Sequence, residues 1–557
     1  MANKNLFGVS KANRAVPTVD TVNNAGGGAY KFEPKAALAQ IACTNCFNGT
    51  FYASASENLK LAKDAALALK GNPEFLAKAA VYSRTKGYMK DMPAFLAVVL
   101  AEINPPLFRK IFPLVIDNGK MLRNFCQIAR SGATGRTFNL SAGTARNAIN
   151  GWFNSQDAYR IFNASVGNDP SMRDILRMAR PRPDSEEKAA LFAYLKNAEV
   201  ISGRLLTYNK DGSIKYSHRV SDLPAIVQAY ENYKLNKEGK PPKVDFRLLD
   251  ALGLTSEDWT EIARNAGWTM TRMNLNTFAR HGVFDNKEVA KLVAERLRNP
   301  EFIQTAKAFP YQLMAAWKAT EGNANIPFEV RDALQDAMEI AISNVPEFEG
   351  KVYVAVDTSG SMQNPITGSR GSSTTKISCV DVASLFAASV LRRNKSAEVI
   401  PFDTRVHGNA LNGRDSVLTN AGILAKFGGG GTDCSCAVKH LNDKGAKGDA
   451  IIFVSDNESW VDSASYRGTG LMTEWQKFKA RNRGAKLICI DLTPRDNSQV
   501  KENADILSVA GFSDAVFNVA ASFIEYGHSK NHWVDVIEKI DLGGNSSVEE
   551  IADEDDE

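Results

Sequence analysis

The run Lys351-Val352-Tyr353-Val354-Ala355-Val356 reads as a strand, and Asp357-Thr358-Ser359-Gly360-Ser361 closes it with a loop crowded with side-chain oxygens. Far downstream, Gly431-Thr432-Asp433 and Val454-Ser455-Asp456 stand where the same kind of fold would place further metal-coordinating loops. Around them, strand-like runs at 352–356, 397–402, 450–454 and 485–490 alternate with helix-like stretches at 377–391, 433–441 and 472–480. Such alternation predicts a parallel, doubly wound α/β sheet, in which ligands gather beyond the carboxyl ends of the strands.

The hydroxyls of Ser359 and Ser361 alternate along one loop, and the glycines at 428–431 let the backbone swing Thr432 toward the same point. Asp357, Ser359, Ser361, Thr432 and Asp456 are therefore the candidate metal-ligating residues. Hard oxygen donors without histidine or thiolate favour Mg2+, with Mn2+ or Ca2+ as alternatives, over zinc. Taken alone, a strand ending in Asp before Ser-Gly-Ser is equally an Asx-type turn; the two downstream loops make it a metal signal. No lysine follows the glycine run, so Walker-type phosphate binding is not supported. His407 and His440 lie in no triad motif, and a nuclease would need a second carboxylate set, so an enzyme is not expected.

Upstream of Pro346-Glu347-Phe348-Glu349-Gly350 the pattern changes. Apolar residues at spacings of three and four, as in Leu59-Leu61-Ala65-Leu67-Leu69 and Phe95-Val98-Val99-Leu100, predict helix after helix from Pro34 to about Asn344, with strand-type alternation scarce. Short helices with Gly, Pro or Asn breaks suggest stacked pairs, a HEAT-like solenoid without a crisp repeat. At 557 residues the chain needs more than one core. The expected organisation is a flexible arm at 1–30 ending in Gly26-Gly27-Gly28, a helical-repeat domain at 31–345, an α/β domain at 349–535 and a disordered acidic tail at 541–557. A hydrophobic content of 44% with 23% charged residues is ordinary for a globular protein, and no stretch approaches a membrane span. The absence of a signal-peptide core in residues 1–10 and an odd count of seven cysteines point to a reducing cytoplasm. Cys43 and Cys46 have no second pair at zinc spacing and are read as thiols in a helical context.

The net charge of +4 hides an asymmetry: residues 1–320 hold 44 Lys+Arg against 28 Asp+Glu, whereas 351–557 hold 22 against 28. A positive field over the first half favours a polyanion, with a soluble basic surface as the bland alternative. Density is greatest at 81–182, with 15 basic against 6 acidic residues. Lys90, Lys120, Arg123, Arg130, Arg136 and Arg146 fall there. Asp169-Pro170 is read as a cap and first-turn proline, after which Arg173, Arg177 and Arg180 share one helix face and Arg182 extends the stripe. Tyr88, Phe125 and Trp152 are candidates for stacking on unpaired bases, although aromatics at helical spacing are more often core.

Four segments are specific: Phe47-Asn48-Gly49-Thr50-Phe51-Tyr52-Ala53, Met89-Lys90-Asp91-Met92-Pro93-Ala94-Phe95, Arg146-Asn147-Ala148-Ile149 before Trp152, and Asp174-Ile175-Leu176-Arg177. They resemble the TROVE domain of the Ro autoantigen family. The five oxygen residues, with Gly430-Gly431-Thr432-Asp433-Cys434 and Asp456-Asn457-Glu458, resemble the metal-ion-dependent adhesion site of its von Willebrand factor A domain. The likeness implies a ring of helical repeats closed by the A domain. Small Y-like RNAs would bind its outer basic face, and single-stranded 3′ ends of misfolded RNA would enter its hole. It also implies an RNA scaffold rather than an enzyme, monomeric, not a DNA binder, and tied to RNA quality control with an exoribonuclease as partner, its motifs nearer those of bacterial relatives. The alternative is a metal-dependent protein adhesion module on a helical platform. Where animal members carry Ser-His-Leu-Lys-Pro, this chain has Ala179-Arg180-Pro181-Arg182-Pro183, with Arg180 in place of the RNA-contacting histidine. Asn163 and Gly167 stand where basic residues of the preceding family helix would fall.

Overall fold

The structure is a computed structural model that describes residues 16–134, 140, 143–306, 308, 310–370, 373–374, 376–408, 411–461, 468–527, 529 and 531–543. Its C-terminal portion is a five-stranded sheet: β1 (Val352–Asp357), β2 (Glu398–Phe402), β3 (Ala450–Ser455), β4 (Lys486–Asp491) and β5 (Ile506–Ala510), in the order β5-β4-β3-β1-β2. All neighbours are parallel, with Phe453 opposite Ala355 on one side of β3 and Ser455 opposite Asp491 on the other. Val352, Val354 and Val356 face one layer while Tyr353 and Ala355 face the other, the period-two alternation of a strand. Both layers are covered. Helix Cys379–Arg393 packs on the valine side, and Ser435–Asp443 and Gly470–Arg481 on the tyrosine side. The fifth strand, β5, was not anticipated among the sequence's strand-like runs.

The first half is helical, as the periodicity predicts. Helix Asp91–Ile103 is buried all round from Met92 to Ala101, which makes it a central pillar with Pro73–Thr85, Pro105–Val115 and Gly119–Ser131 packed about it. Asn72, Asn104 and Asn118 start those three neighbours by accepting a backbone N–H, and Ser54 with Glu57 forms a capping box on Ala55–Ala68. One element departs from the all-helical expectation. Residues Glu199–Ile201, Arg204–Tyr208 and Ile214–Arg219 form a three-stranded antiparallel sheet lying against helix Glu186–Leu195. Only Leu205 of these strands is fully buried, so the alternating Ile214-Lys215-Tyr216-Ser217 lies on a largely exposed sheet.

The expected flexible arm at 1–30 is corrected for residues 16–30. Thr21–Val22 pairs with Gly28–Lys31, which in turn pairs with Asn497–Ser498 of the A domain. Gly27 lies so close to Ser459 O that a Cβ there would meet it at 2.1 Å. The triple glycine thus serves close packing, not slack. Residues 1–15 and 544–557, hence nearly all of the expected acidic tail, lie outside the described residues. Cys43 caps helix Pro34–Ala42, so Thr44 and Asn45 follow a helix end instead of lying within one; neither Cys43, which is buried, nor Cys46, which is half-buried, is in a disulfide.

The sheet domain touches both ends of the helical half. Helix Pro34–Ala42 packs on β5, and the last helix, His532–Glu538, packs on Pro34–Ala42 and Pro73–Thr85. At the other end, helix Pro310–Thr320 packs on Cys379–Arg393, where Lys318 pairs with Asp381 at 2.5 Å, and Glu339 accepts from Val417 N. The helical array and the sheet therefore form a closed circuit, with one continuous apolar cluster running through both.

Candidate functional site

Asp357 ends β1, Asp456 follows β3, and between these two strands the order of the sheet reverses, the switch point at which such sheets bind ligands. Both aspartates are buried. Ser455 Oγ donates to Asp357 Oδ2 at 2.6 Å, Ser359 N donates to Asp357 Oδ1 at 2.9 Å, and the Ser359 and Ser361 hydroxyls lie 3.3 Å apart. Ser361 and Asp456 line the same cavity. The glycine loop is stitched to this loop by its backbone. Gly429 N donates to Thr358 O at 2.8 Å and Gly360 N to Gly430 O at 2.9 Å. Gly428 has φ of +83°, and a Cβ on it would meet Thr358 O at 2.1 Å, while one on Gly431 would run into the Trp460 ring. Buried Thr432 is thereby held beside the two loops, with its carbonyl accepting from Trp460 N and Val461 N.

Burial pushes the Asp357 and Asp456 carboxyls above the usual range, and Asp456 raises Asp357 further. Two carboxylates and three hydroxyls in one buried corner suit a hard divalent cation, which would relieve that repulsion. Among the described residues no cluster of three or more His, Cys, Asp or Glu side chains could hold a metal, so any ion here would depend on the hydroxyls. Asp433 is not part of the group: its carboxylate accepts from Ser435 N and Oγ and starts helix Ser435–Asp443. His407 pairs with Asp403 at 3.0 Å and stacks on Phe427.

Several residues at the site escaped the sequence reading. Asp491 ends β4 as Asp357 ends β1; it accepts from Asn457 Nδ2 at 2.8 Å, and burial pushes its carboxyl up to about 8. Glu458, pushed up to about 7 by burial and by Asp456, accepts from Ala25 N. Tyr52, from the helical half, lines the same cavity as Ser361, and burial and the nearby carboxylates push its hydroxyl up to about 12. The strand-end position of Asp491 was a usable signal; Tyr52 lies in the specific segment 47–53, but nothing in it pointed to the oxygen loops.

The basic candidates divide. Arg130, Arg177, Arg180 and Arg182 are exposed. They come from helices Gly119–Ser131 and Met172–Ala179 and the turn after the latter, and those helices pack together with Gly143–Ser155. Arg173 is half-buried, as are Lys90 and Lys120. Arg123 and Arg146 are ties within the fold: Arg123 Nη1 donates to Ala164 O at 3.0 Å and Arg146 Nε to Ala179 O at 3.2 Å. Gly167 is where it is because a Cβ there would meet the Arg123 guanidinium at 2.9 Å, and Asn163 accepts from Asp245 N. Arg136 lies outside the described residues.

The cap reading is corrected. Ser171, not Asp169, starts the arginine helix, in a capping box with Asp174, and Arg180 is its left-handed C-cap with φ of +48°. Arg173 and Arg177 alone share the helix face. Phe125 stacks in the core with Phe108 and Phe112, and Trp152 packs on Phe153, so neither can stack on bases. The structure adds Lys196 and Lys215 to the patch: burial foremost, then the charges of Lys215 and Arg177, depress the Lys196 ammonium. Lys215 sits on the unanticipated antiparallel sheet.

A closed helical array joined to an A-type sheet with a D-x-S-x-S loop at its switch point defines a two-part class of protein. Residues 351–524 match the family model described as the Ro60 vWA domain. Over 530 residues the chain is 26% identical to the RNA-binding protein RO60 of Deinococcus radiodurans, covering 90% of this chain and 94% of that one. A Caenorhabditis elegans protein of the same name is 21% identical over 439 residues, 68% of this chain and 65% of its own length. The crystal structure of the Deinococcus radiodurans Ro (RSR) protein superposes with a TM-score of 0.55 at 18% identity, over 88% of this chain and 99% of that one, which establishes the shared fold.

Proposed function

We propose that the chain is an RNA-binding protein of the Ro type. The observation that carries this reading is the exposed Arg130, Arg177, Arg180 and Arg182 on or just after two helices that pack together, with Lys196 near both Arg177 and Lys215. Cations on neighbouring helices can meet successive phosphates of one RNA, and guanidiniums do so bidentately. Relatives named as RNA-binding proteins over most of the chain support it. In the finer form of the proposal, a small structured RNA lies on this face and single-stranded 3′ ends of misfolded RNA enter the circuit closed by the A domain. Recognition is by phosphate contact and shape. A gel shift with a labelled stem-loop bearing a 3′ single-stranded tail tests this: Arg177→Glu/Arg180→Glu/Arg182→Glu should lose most retention while melting like the wild type, and unchanged retention would remove the outer face from the reading.

We also propose that Asp357, Ser359, Ser361, Thr432 and Asp456 hold a divalent cation, Mg2+ before Mn2+ or Ca2+. Such an ion would supply a Lewis-acidic position for an oxygen of a partner; the buried Asp357 and Asp456 beside the Ser359 and Ser361 hydroxyls are the observation favouring a protein adhesion role beside RNA binding. Calorimetric titration of Mg2+ should show one site in the wild type and none in Asp357→Ala; retained stoichiometric binding in the variant refutes the assignment.

A further inference from the structure

The segment 47–53 is one of the chain's most specific motifs, yet RNA binding makes no use of it. The structure puts it against the oxygen loops of the A domain. Gly49 N donates to Ser369 O and Ser369 N donates back to Gly49 O at 2.8 Å, a two-way bridge between the halves. Asn48 Nδ2 donates to Thr367 O at 2.7 Å. Gly368, with φ of +71°, approaches so closely that a Cβ would meet Gly49 O at 2.7 Å. From the other side, buried Arg495 of the A domain donates to Asn58 Oδ1 at 2.6 Å and to Thr50 Oγ1 at 2.9 Å. These contacts leave a cavity of about 440 Å3 between the halves, with Phe51, Tyr52 and Glu57 on one wall and Ser361, Asn364 and Asp456 on the other.

Two of the five oxygen residues thus open into a cleft whose far wall belongs to the helical half, and Tyr52 lines it with Ser361. We propose that the 47–53 loop is the outer wall of the cation site, with Tyr52 a positioning residue for Ser361, so that filling the site tightens the seam between the helical half and the A domain. This rests on the metal reading above. Ser361 can offer a lone pair to an ion only when its proton points elsewhere, and its neighbours govern that choice: Ser359 at 3.3 Å, with Asp456 and Tyr52 lining the same cavity. Glu57 does not substitute for a ligand, because its carboxylate is held by Ser54 in the capping box. If the ion stabilises the docked loop, linkage requires that loosening the loop weakens the ion by the same factor.

The test uses the full chain, stripped with chelator and titrated with Mg2+ by calorimetry, together with hydrogen exchange of the amides at 49–54 with and without Mg2+. Exchange there should slow severalfold on Mg2+ addition in the wild type. Tyr52→Phe and Asn48→Ala, the second of which touches none of the five oxygen residues, should each raise the Mg2+ dissociation constant by about three- to tenfold, the worth of one hydrogen bond. A wild type that binds Mg2+ with no change in exchange at 49–54 overturns the seam coupling while leaving the metal reading intact. A wild type that binds no Mg2+ overturns both.

Discussion

Removing three exposed guanidiniums should change the salt dependence of RNA binding by a calculable amount. Arg177, Arg180 and Arg182 lie within a six-residue span at the end of one helix, all exposed, with Lys196 and Lys215 completing the patch. If each meets one phosphate, each releases about 0.7 to 0.9 of a counterion, so Arg177→Gln/Arg180→Gln/Arg182→Gln should flatten the slope of log K against log salt by about 2 to 3. Between about 50 and about 200 mM salt the wild type should then lose about 15- to 40-fold more affinity than the variant. The side chains leave the core untouched and Arg180 keeps a backbone form that a polar residue tolerates, so the variant should melt with the wild type. Filter binding of a labelled stem-loop RNA across a salt series measures both slopes. Parallel slopes, with equal affinity at low salt, would refute phosphate contact at this face.

Three further outcomes follow from the packing. Arg84→Met should cost about 3 to 5 kcal/mol in urea denaturation, because the Asp117 carboxylate, held by Arg84 Nε and Nη2 at 2.9 Å each, would be left buried without a partner. Gly428→Ala, at φ of +83° and against Thr358 O, should displace the loop that carries Thr432 and weaken Mg2+ binding in calorimetry; unchanged affinity would show that Thr432 is not a ligand. Glu502, whose carboxyl burial pushes up to about 7, keeps its proton in the folded state while the unfolded chain has lost it, so its contribution to stability falls as pH rises from about 4.5 to about 7, by at most about 1.4 kcal/mol per pH unit. Glu502→Gln should remove that slope in denaturation curves at pH 5, 6 and 7, and an unaltered slope would assign the proton elsewhere.

The α/β half was legible because its signals are local. A strand buried on both faces is written as a continuous apolar run, and Asp357 and Asp456 announce strand ends by following Val356 and Ser455 directly. The helical half was legible as a class for the same reason, since an amphipathic helix repeats its apolar residues within one or two turns. The antiparallel sheet at 199–219 was not read, although Ile214-Lys215-Tyr216-Ser217 alternates after Asp211-Gly212, because its strands are short and only Leu205 is fully buried.

What the sequence by itself determined is the type of most elements and the two-part order. What only the tertiary structure decided is which charges are available and what closes over the metal loops. Arg123, Arg146 and Arg177 look alike as letters, but two are ties to backbone carbonyls and one faces solvent. Tyr52 comes beside Ser361, and Gly27 beside Ser459, only when the chain's beginning folds back onto its last domain. Periodicity is set by contacts within a few residues, whereas burial of a given side chain is set by partners tens to hundreds of residues away, and no local pattern encodes those.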